Sequence, residues 1–141
     1  MGHIGYAGDV TSQEVWEILR QRGDAVLVDC RTDVEWCFVG LPDLAELNKK
    51  PLMIAWQTYP DMHVNESFEK EIQAKGVRPD QTILLICRSG QRSRLAAMAL
   101  TSAGYRHCYN VADGFEGPHD ERRQRGRVEG WKVAGLPWTQ G

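Results

Sequence analysis

The sequence predicts an α/β domain with a mainly parallel sheet and helices on both faces. Three observations carry this. The runs at 25–30 and 82–87 are short, apolar and rich in β-branched residues, which suits strands buried on both sides. Segments with helical spacing alternate with the strand-like runs, opened by capping signals or closed by glycines. No internal repeat or linker divides the chain.

Residues 6–10 read as a first short strand. Thr11-Ser12-Gln13-Glu14 has the form of a capping box, and the helix it opens carries Val15, Ile18 and Leu19 on one stripe before stopping at Gly23. Residues 25–30 form the second strand. Thr32-Asp33-Val34-Glu35 repeats the capping signal for a short helix through Phe38. Residues 51–55 read as a third strand, and Trp56 and Tyr59 just beyond it are candidate pocket aromatics or loop packing. Asn65 is placed to cap a helix over 66–75 with Phe68 and Ile72 inward. A fourth strand ends at Cys87, an Ala- and Leu-rich helix runs to Gly104, and residues 105–111 form a fifth strand that buries Cys108.

Composition narrows the function classes. Charged residues make up 26% and aromatics 9%, as in ordinary globular protein. A net charge of -2 gives no reason to expect nucleic acid or an anionic membrane as partner. With no apolar run of membrane-spanning length and no signal peptide at its start, the expected location is cytoplasmic. The four cysteines lack paired spacing, which argues against a disulfide framework or a zinc site, and no histidine has a second ligand at helical spacing. Neither a metal nor an organic cofactor is called for.

The stretch that organises the chain is Cys87-Arg88-Ser89-Gly90-Gln91-Arg92-Ser93, a polar turn between a buried strand and a helix. Backbone N–H groups converge in such a turn and the helix dipole adds partial positive charge, so an anionic sulfur is favoured there. Arg88 and Arg92 are placed to support a thiolate and to bind an oxyanion, Gly90 to let the backbone curl inward, and Ser93 to donate a hydroxyl hydrogen bond and cap the helix. Asp29 and Arg31 flank Cys30 at another strand end. With Trp56 they are possible pocket residues, or else a structural ion pair. Cys30 reads as a small core residue or as a thiol able to approach Cys87.

The residues 87–93 resemble the active-site loop of the rhodanese-like sulfurtransferases. Val26-Leu27-Val28-Asp29-Cys30-Arg31 with Glu35-Trp36, Asn110 to Gly117, and Gly130-Trp131 with Ala134-Gly135-Leu136-Pro137 resemble further segments of that family in the same order. The segment Val39-Gly40-Leu41-Pro42 departs from it, lacking the histidine common there. The resemblance implies a five-stranded sheet in one domain over 6–138, after a loose start at 1–5 and before a tail at 139–141. Residues 118–129 form an exposed Arg-rich insertion.

The activity it implies is transfer of sulfane sulfur through a Cys87 persulfide, from thiosulfate or a persulfide donor to a thiol or cyanide acceptor. Arg88, Ser89, Gly90, Gln91, Arg92 and Ser93 would bind the anion. A non-turnover sulfur carrier serving a protein acceptor, or a regulatory binding module, is the alternative. Phosphatase or arsenate reductase chemistry fits less well, because the phosphatase loop is one residue longer than Cys87-x4-Arg92.

Overall fold

The computed structural model describes residues 5–58, 61–117 and 130–140. Tyr59, His3, His119 and the Arg-rich segment 118–129 lie outside the described residues. Among the described residues nine strands and four α-helices follow in the order β1 (Gly8–Val10), α1 (Ser12–Gln21), β2 (Val26–Asp29), α2 (Asp33–Phe38), β3 (Leu41–Pro42), β4 (Leu52–Met53), β5 (Gln57–Thr58), β6 (His63–Val64), α3 (Phe68–Ala74), β7 (Thr82–Ile86), α4 (Gln91–Ser102), β8 (His107–Val111) and β9 (Trp138–Thr139). A 3-10 turn spans Ala45–Leu47. Five strands form one sheet in the order β1-β8-β7-β2-β4, and every neighbouring pair is parallel. The two remaining pairs, β3 with β9 and β5 with β6, are short and antiparallel.

The central position of β7 follows from its sequence, since all five of its residues are buried. Side-chain alternation sorts them onto two cores. Ile83, Leu85 and then Cys87 join Val28, Cys30, Phe68, Ile72 and Leu100 under α3 and α4. Leu84 and Ile86 join Leu27, Val15, Leu19, Phe115 and Trp131 under α1 and the C-terminal segment. Both expected capping boxes form. The Glu14 N–H donates to the Thr11 hydroxyl oxygen at 3.2 Å, and the Glu35 N–H to that of Thr32 at 3.3 Å. Among the described residues, no helix is long and apolar enough to cross a membrane.

Several expected elements differ in their bounds, the first strand narrowing to Gly8–Val10 and the fifth to His107–Val111. The third strand narrows to Leu52–Met53, because it is the sheet edge and its continuation bonds irregularly, Ile54 N to Asp29 O at 3.1 Å and Trp56 N to Cys30 O at 3.1 Å. The helix expected to start after Asn65 starts at Phe68 instead. Asn65 accepts from Ser67 N at 3.0 Å, a local turn, while its amide donates to Ala55 O at 3.0 Å.

Asp29 and Arg31 are an internal ion pair and not pocket walls. Both side chains are fully buried, with Arg31 Nε donating to Asp29 Oδ1 at 2.9 Å and Nη2 to Oδ2 at 2.7 Å. Arg31 also donates to Gly40 O at 2.7 Å and lies 4.3 Å over the Phe115 ring. It therefore ties β2 to the segment before β3 and to the turn after β8. Asp29→Ala leaves a buried guanidinium uncompensated, and denaturant unfolding should show a loss of about 3–5 kcal/mol.

Candidate functional site

Cys87 is the first residue beyond β7. The chain turns through Arg88, Ser89 and Gly90, and α4 begins at Gln91. Gly90 has φ +99°, and a Cβ there would meet Ala112 O at 2.5 Å, so both conformation and space require glycine. This curl aims two amides at the sulfur: the N–H of Gly90 at 3.2 Å from Sγ and that of Ser93 at 3.3 Å.

The turn after β8 supports the loop from beneath. Phe115 N donates to Cys87 O at 2.8 Å, and the amides of Glu116 and Gly117 both donate to Arg88 O at 3.0 Å. Gly114, at φ +68°, lets this happen, since a Cβ would sit 2.4 Å from Arg88 O. Asp113 accepts from the N–H and the hydroxyl of Ser12, each at 3.0 Å, anchoring the turn to the start of α1.

Ser93 does not cap the helix. Gly90 holds the N-cap position, and the Ser93 hydroxyl is buried, 3.2 Å from Cys87 Sγ and 2.6 Å from Asn110 Oδ1. Asn110 Nδ2 donates to Asp9 Oδ1 at 3.1 Å, and Tyr6 donates to the same oxygen at 2.8 Å. The Asn110 carbonyl oxygen therefore faces Ser93 and can only accept. A hydroxyl has one proton, so while Ser93 donates to Asn110 it offers Cys87 a lone pair. Donation to a thiolate requires that proton to turn.

Arg92 is committed. Its Nη1 and Nη2 donate to Glu35 Oε1 at 2.6 Å and Oε2 at 2.8 Å, with the two side chains only 15% and 16% exposed. Its two terminal nitrogens face this carboxylate and not an open oxyanion site. Burial pushes Glu35 up, but the bonds from Arg92 and Thr32 outweigh it and leave its pKa at about 2. Burial pushes Arg92 down, and Glu35 more than offsets this, with Cys87 and Cys30 acting in the same direction. Arg88 and Gln91 are exposed, and Ser89 is half-buried. Cys87 itself is 1% exposed, so the sulfur lies beneath the loop and not open at its surface.

Of the other sequence candidates, Trp56 packs edge-on against Phe68, centroids 5.3 Å apart, beside the core that holds Cys87. Cys30 lies beside Cys87: its N–H donates to Ile86 O at 2.9 Å, the next rung after the Asp29–Ile86 pair. Burial, followed by the charges of Cys87 and Asp29, pushes the Cys30 thiol well up, with Arg92 opposing. Burial also pushes Cys108 up, to about 11. Among the described residues, no group of three or more His, Cys, Asp or Glu is placed to hold a metal. Glu35, Asn110, Asp9 and Tyr6 are functional candidates that sequence reasoning does not single out. Glu35 was visible as half of a capping box and as part of a family-like segment, but not as the partner of an arginine 57 residues away.

The family described as the STR4 middle domain matches residues 7–141. An uncharacterized protein of Rickettsia rickettsii is 37% identical over 131 residues, covering 92% of this chain and 95% of that protein. The chloroplastic protein THYLAKOID RHODANESE-LIKE of Oryza sativa subsp. indica is 31% identical over 133 residues, which are 94% of this chain but 25% of that protein. The crystal structure of Rv0390 from M. tuberculosis superposes with a TM-score of 0.88 at 44% identity, covering 96% and 99% of the two chains. The polysulfide-sulfur transferase homodimer from Wolinella succinogenes shares the fold, with a TM-score of 0.66 at 18% identity over 97% of this chain and 80% of that one.

The Glu35–Arg92 pair has a pH signature. A carboxylate whose folded pKa is depressed stabilises the fold above its unfolded value and stops doing so as pH falls through the folded one. The window here runs from about 4.5 down to about 2. Unfolding free energy of the native chain should fall across that range, and Glu35→Gln should be less stable at neutral pH with a flatter acid limb.

Proposed function

We propose that this chain, which belongs to the family of the STR4 middle domain and has rhodanese-like relatives, is a sulfurtransferase working through a Cys87 persulfide. The observation that carries this reading is the convergence of the Gly90 and Ser93 amides on one thiol sulfur, at 3.2 and 3.3 Å. Each such bond to a charged sulfur is worth about 1.5–3 kcal/mol, and transfer puts charge on that sulfur as nucleophile and as leaving group.

In the first half-reaction the Cys87 thiolate attacks the outer sulfur of a thiosulfate-like donor. The donor's sulfur–sulfur bond breaks, sulfite leaves with the electron pair, and Cys87 holds a persulfide. In the second, a thiol or cyanide attacks the terminal sulfur and Cys87 leaves as thiolate. Gly90 and Ser93 hold the sulfur in place, and the backbone of Ser89 and Gln91 completes the turn around it. Arg88, exposed at the rim, meets the donor's oxyanion. Arg92 adds its positive field while Glu35 fixes its position. Four thiols without a disulfide suit a reducing compartment, so a cytoplasmic setting is part of the proposal.

A second reading has one observation in its favour. Cys87 is 1% exposed, which suits a carrier whose sulfur is taken by a protein partner able to open the loop, or a binding module without turnover.

Treatment with thiosulfate should release sulfite and leave an adduct of about 32 Da on Cys87 that cyanide removes. Cys87→Ser should reduce transfer to background with the fold intact. An adduct that resists cyanide but passes to a protein acceptor would select the carrier. Turnover of an aryl phosphate without sulfite release would overturn both.

A further inference from the structure

The sheet sets two thiols side by side. The β2–β7 ladder pairs Asp29 with Ile86, and the bond from Cys30 N to Ile86 O at 2.9 Å extends it by one rung, which puts Cys30 opposite Cys87. Parallel neighbours lie about 4.8 Å apart, inside the ~4.4–6.8 Å Cα range of a disulfide. Both side chains enter the same core, under α3 and α4. Both residues also lie just past the ends of their strands, β2 ending at Asp29 and β7 at Ile86. There the ladder releases its grip: the Cys30 carbonyl accepts from Trp56 on the other side, and that of Cys87 from Phe115. The Cβ atoms must close by roughly 1 Å to bridge, and strand ends permit that movement. The other cysteines are not so placed. Cys108 pairs with Ile83, four residues back along β7 and so about 13 Å from Cys87, and Cys37 is exposed on α2.

We propose that Cys30 is a resolving thiol which, when no external acceptor arrives, discharges the Cys87 persulfide as hydrosulfide and closes a Cys30–Cys87 disulfide. The step rests on the persulfide reading of Cys87. The Cys30 sulfur attacks the inner persulfide sulfur, Cys87 Sγ. The Cys30–Cys87 bond forms, the bond to the terminal sulfur breaks, and that sulfur leaves with the electron pair and the Cys30 proton as HS−. The sulfane sulfur is reduced to sulfide and the two cysteines are oxidised to cystine. A dithiol reductant then exchanges with the bridge and restores both thiols.

The surroundings make this a slow second route and not a competitor. Cys30 Sγ donates to Ile86 O at 3.3 Å and is fully buried, with Asp29, Arg92 and Cys87 as the charged groups acting on it. A buried thiol that keeps its proton attacks sluggishly. An abundant acceptor therefore takes the sulfur first, and only a stranded persulfide is resolved internally.

The native chain, fully reduced and freed of small thiols, is given one equivalent of thiosulfate without acceptor. Peptides are then followed by non-reducing mass spectrometry and free sulfide is measured. The ~32 Da adduct on Cys87 should give way to a Cys30–Cys87 linkage about 2 Da lighter than the dithiol, with roughly one sulfide released per chain. In Cys30→Ser the adduct should persist and sulfide stay at background. Cys30→Ala, which places no hydroxyl in the core, covers poor folding of the serine variant. A wild-type adduct that outlasts the experiment as it does in the variants, or a bridge from Cys87 to Cys37 or Cys108, overturns the resolving role and leaves sulfur transfer standing. Absence of any adduct overturns sulfur transfer itself. In that event one equivalent of peroxide, which makes a Cys87 sulfenic acid for Cys30 to displace as water, still decides whether the two sulfurs can meet.

Discussion

Everything at this site depends on how tightly two stretches of backbone approach each other, the loop 87–90 and the turn 112–117. Carbonyls of the first accept amides of the second, and glycines at 90 and 114 occupy the points where a single methyl would collide with an oxygen. The contact sets the curl of the loop, and the curl aims the Gly90 and Ser93 amides at the Cys87 sulfur. Hydrogen bonds between main chains are short and stiff, so the geometry does not depend on side-chain rotamers.

Two ion pairs surround this contact and act differently. Asp29–Arg31 is sealed in the core and works as a strut, its guanidinium lying over Phe115 in the turn that supports the loop. Glu35–Arg92 is partly exposed and joins the start of α4 to the short helix α2. Glu35 also accepts from the N–H and hydroxyl of Thr32, so one carboxylate both caps a helix and restrains an arginine beside the loop 87–90. The result is an arginine that is held still, where an unpaired one would sample many positions.

The parallel sheet, the two capping boxes and the strand–loop–helix around Cys87 were legible because each is written in consecutive residues: β-branched runs, Thr-x-x-Glu, and a glycine in a polar turn. What was not legible joins distant residues. Asn110 opens a family-like segment in the sequence, but its amide bridging Ser93 and Asp9 is seen only in the fold. Ser93 sits at a position that suits a cap, yet the sharper curl at Gly90 brings it one turn further into the helix and under the sulfur. Arg92 looked free because its partner belongs to another helix. The covering of Cys87 could not be foreseen either, since it comes from packing around the loop and not from the loop's composition.

The single hydroxyl proton of Ser93 lies between the Cys87 sulfur and the Asn110 oxygen, and so joins the site to the edge of the sheet. When that proton turns to the Cys87 sulfur, the Asn110 oxygen loses its donor, and Asn110 on β8, Asp9 on β1 and Tyr6 just ahead of β1 must readjust. A proton shared with the Cys87 sulfur is therefore linked, through Asn110 and Asp9, to the phenol of Tyr6.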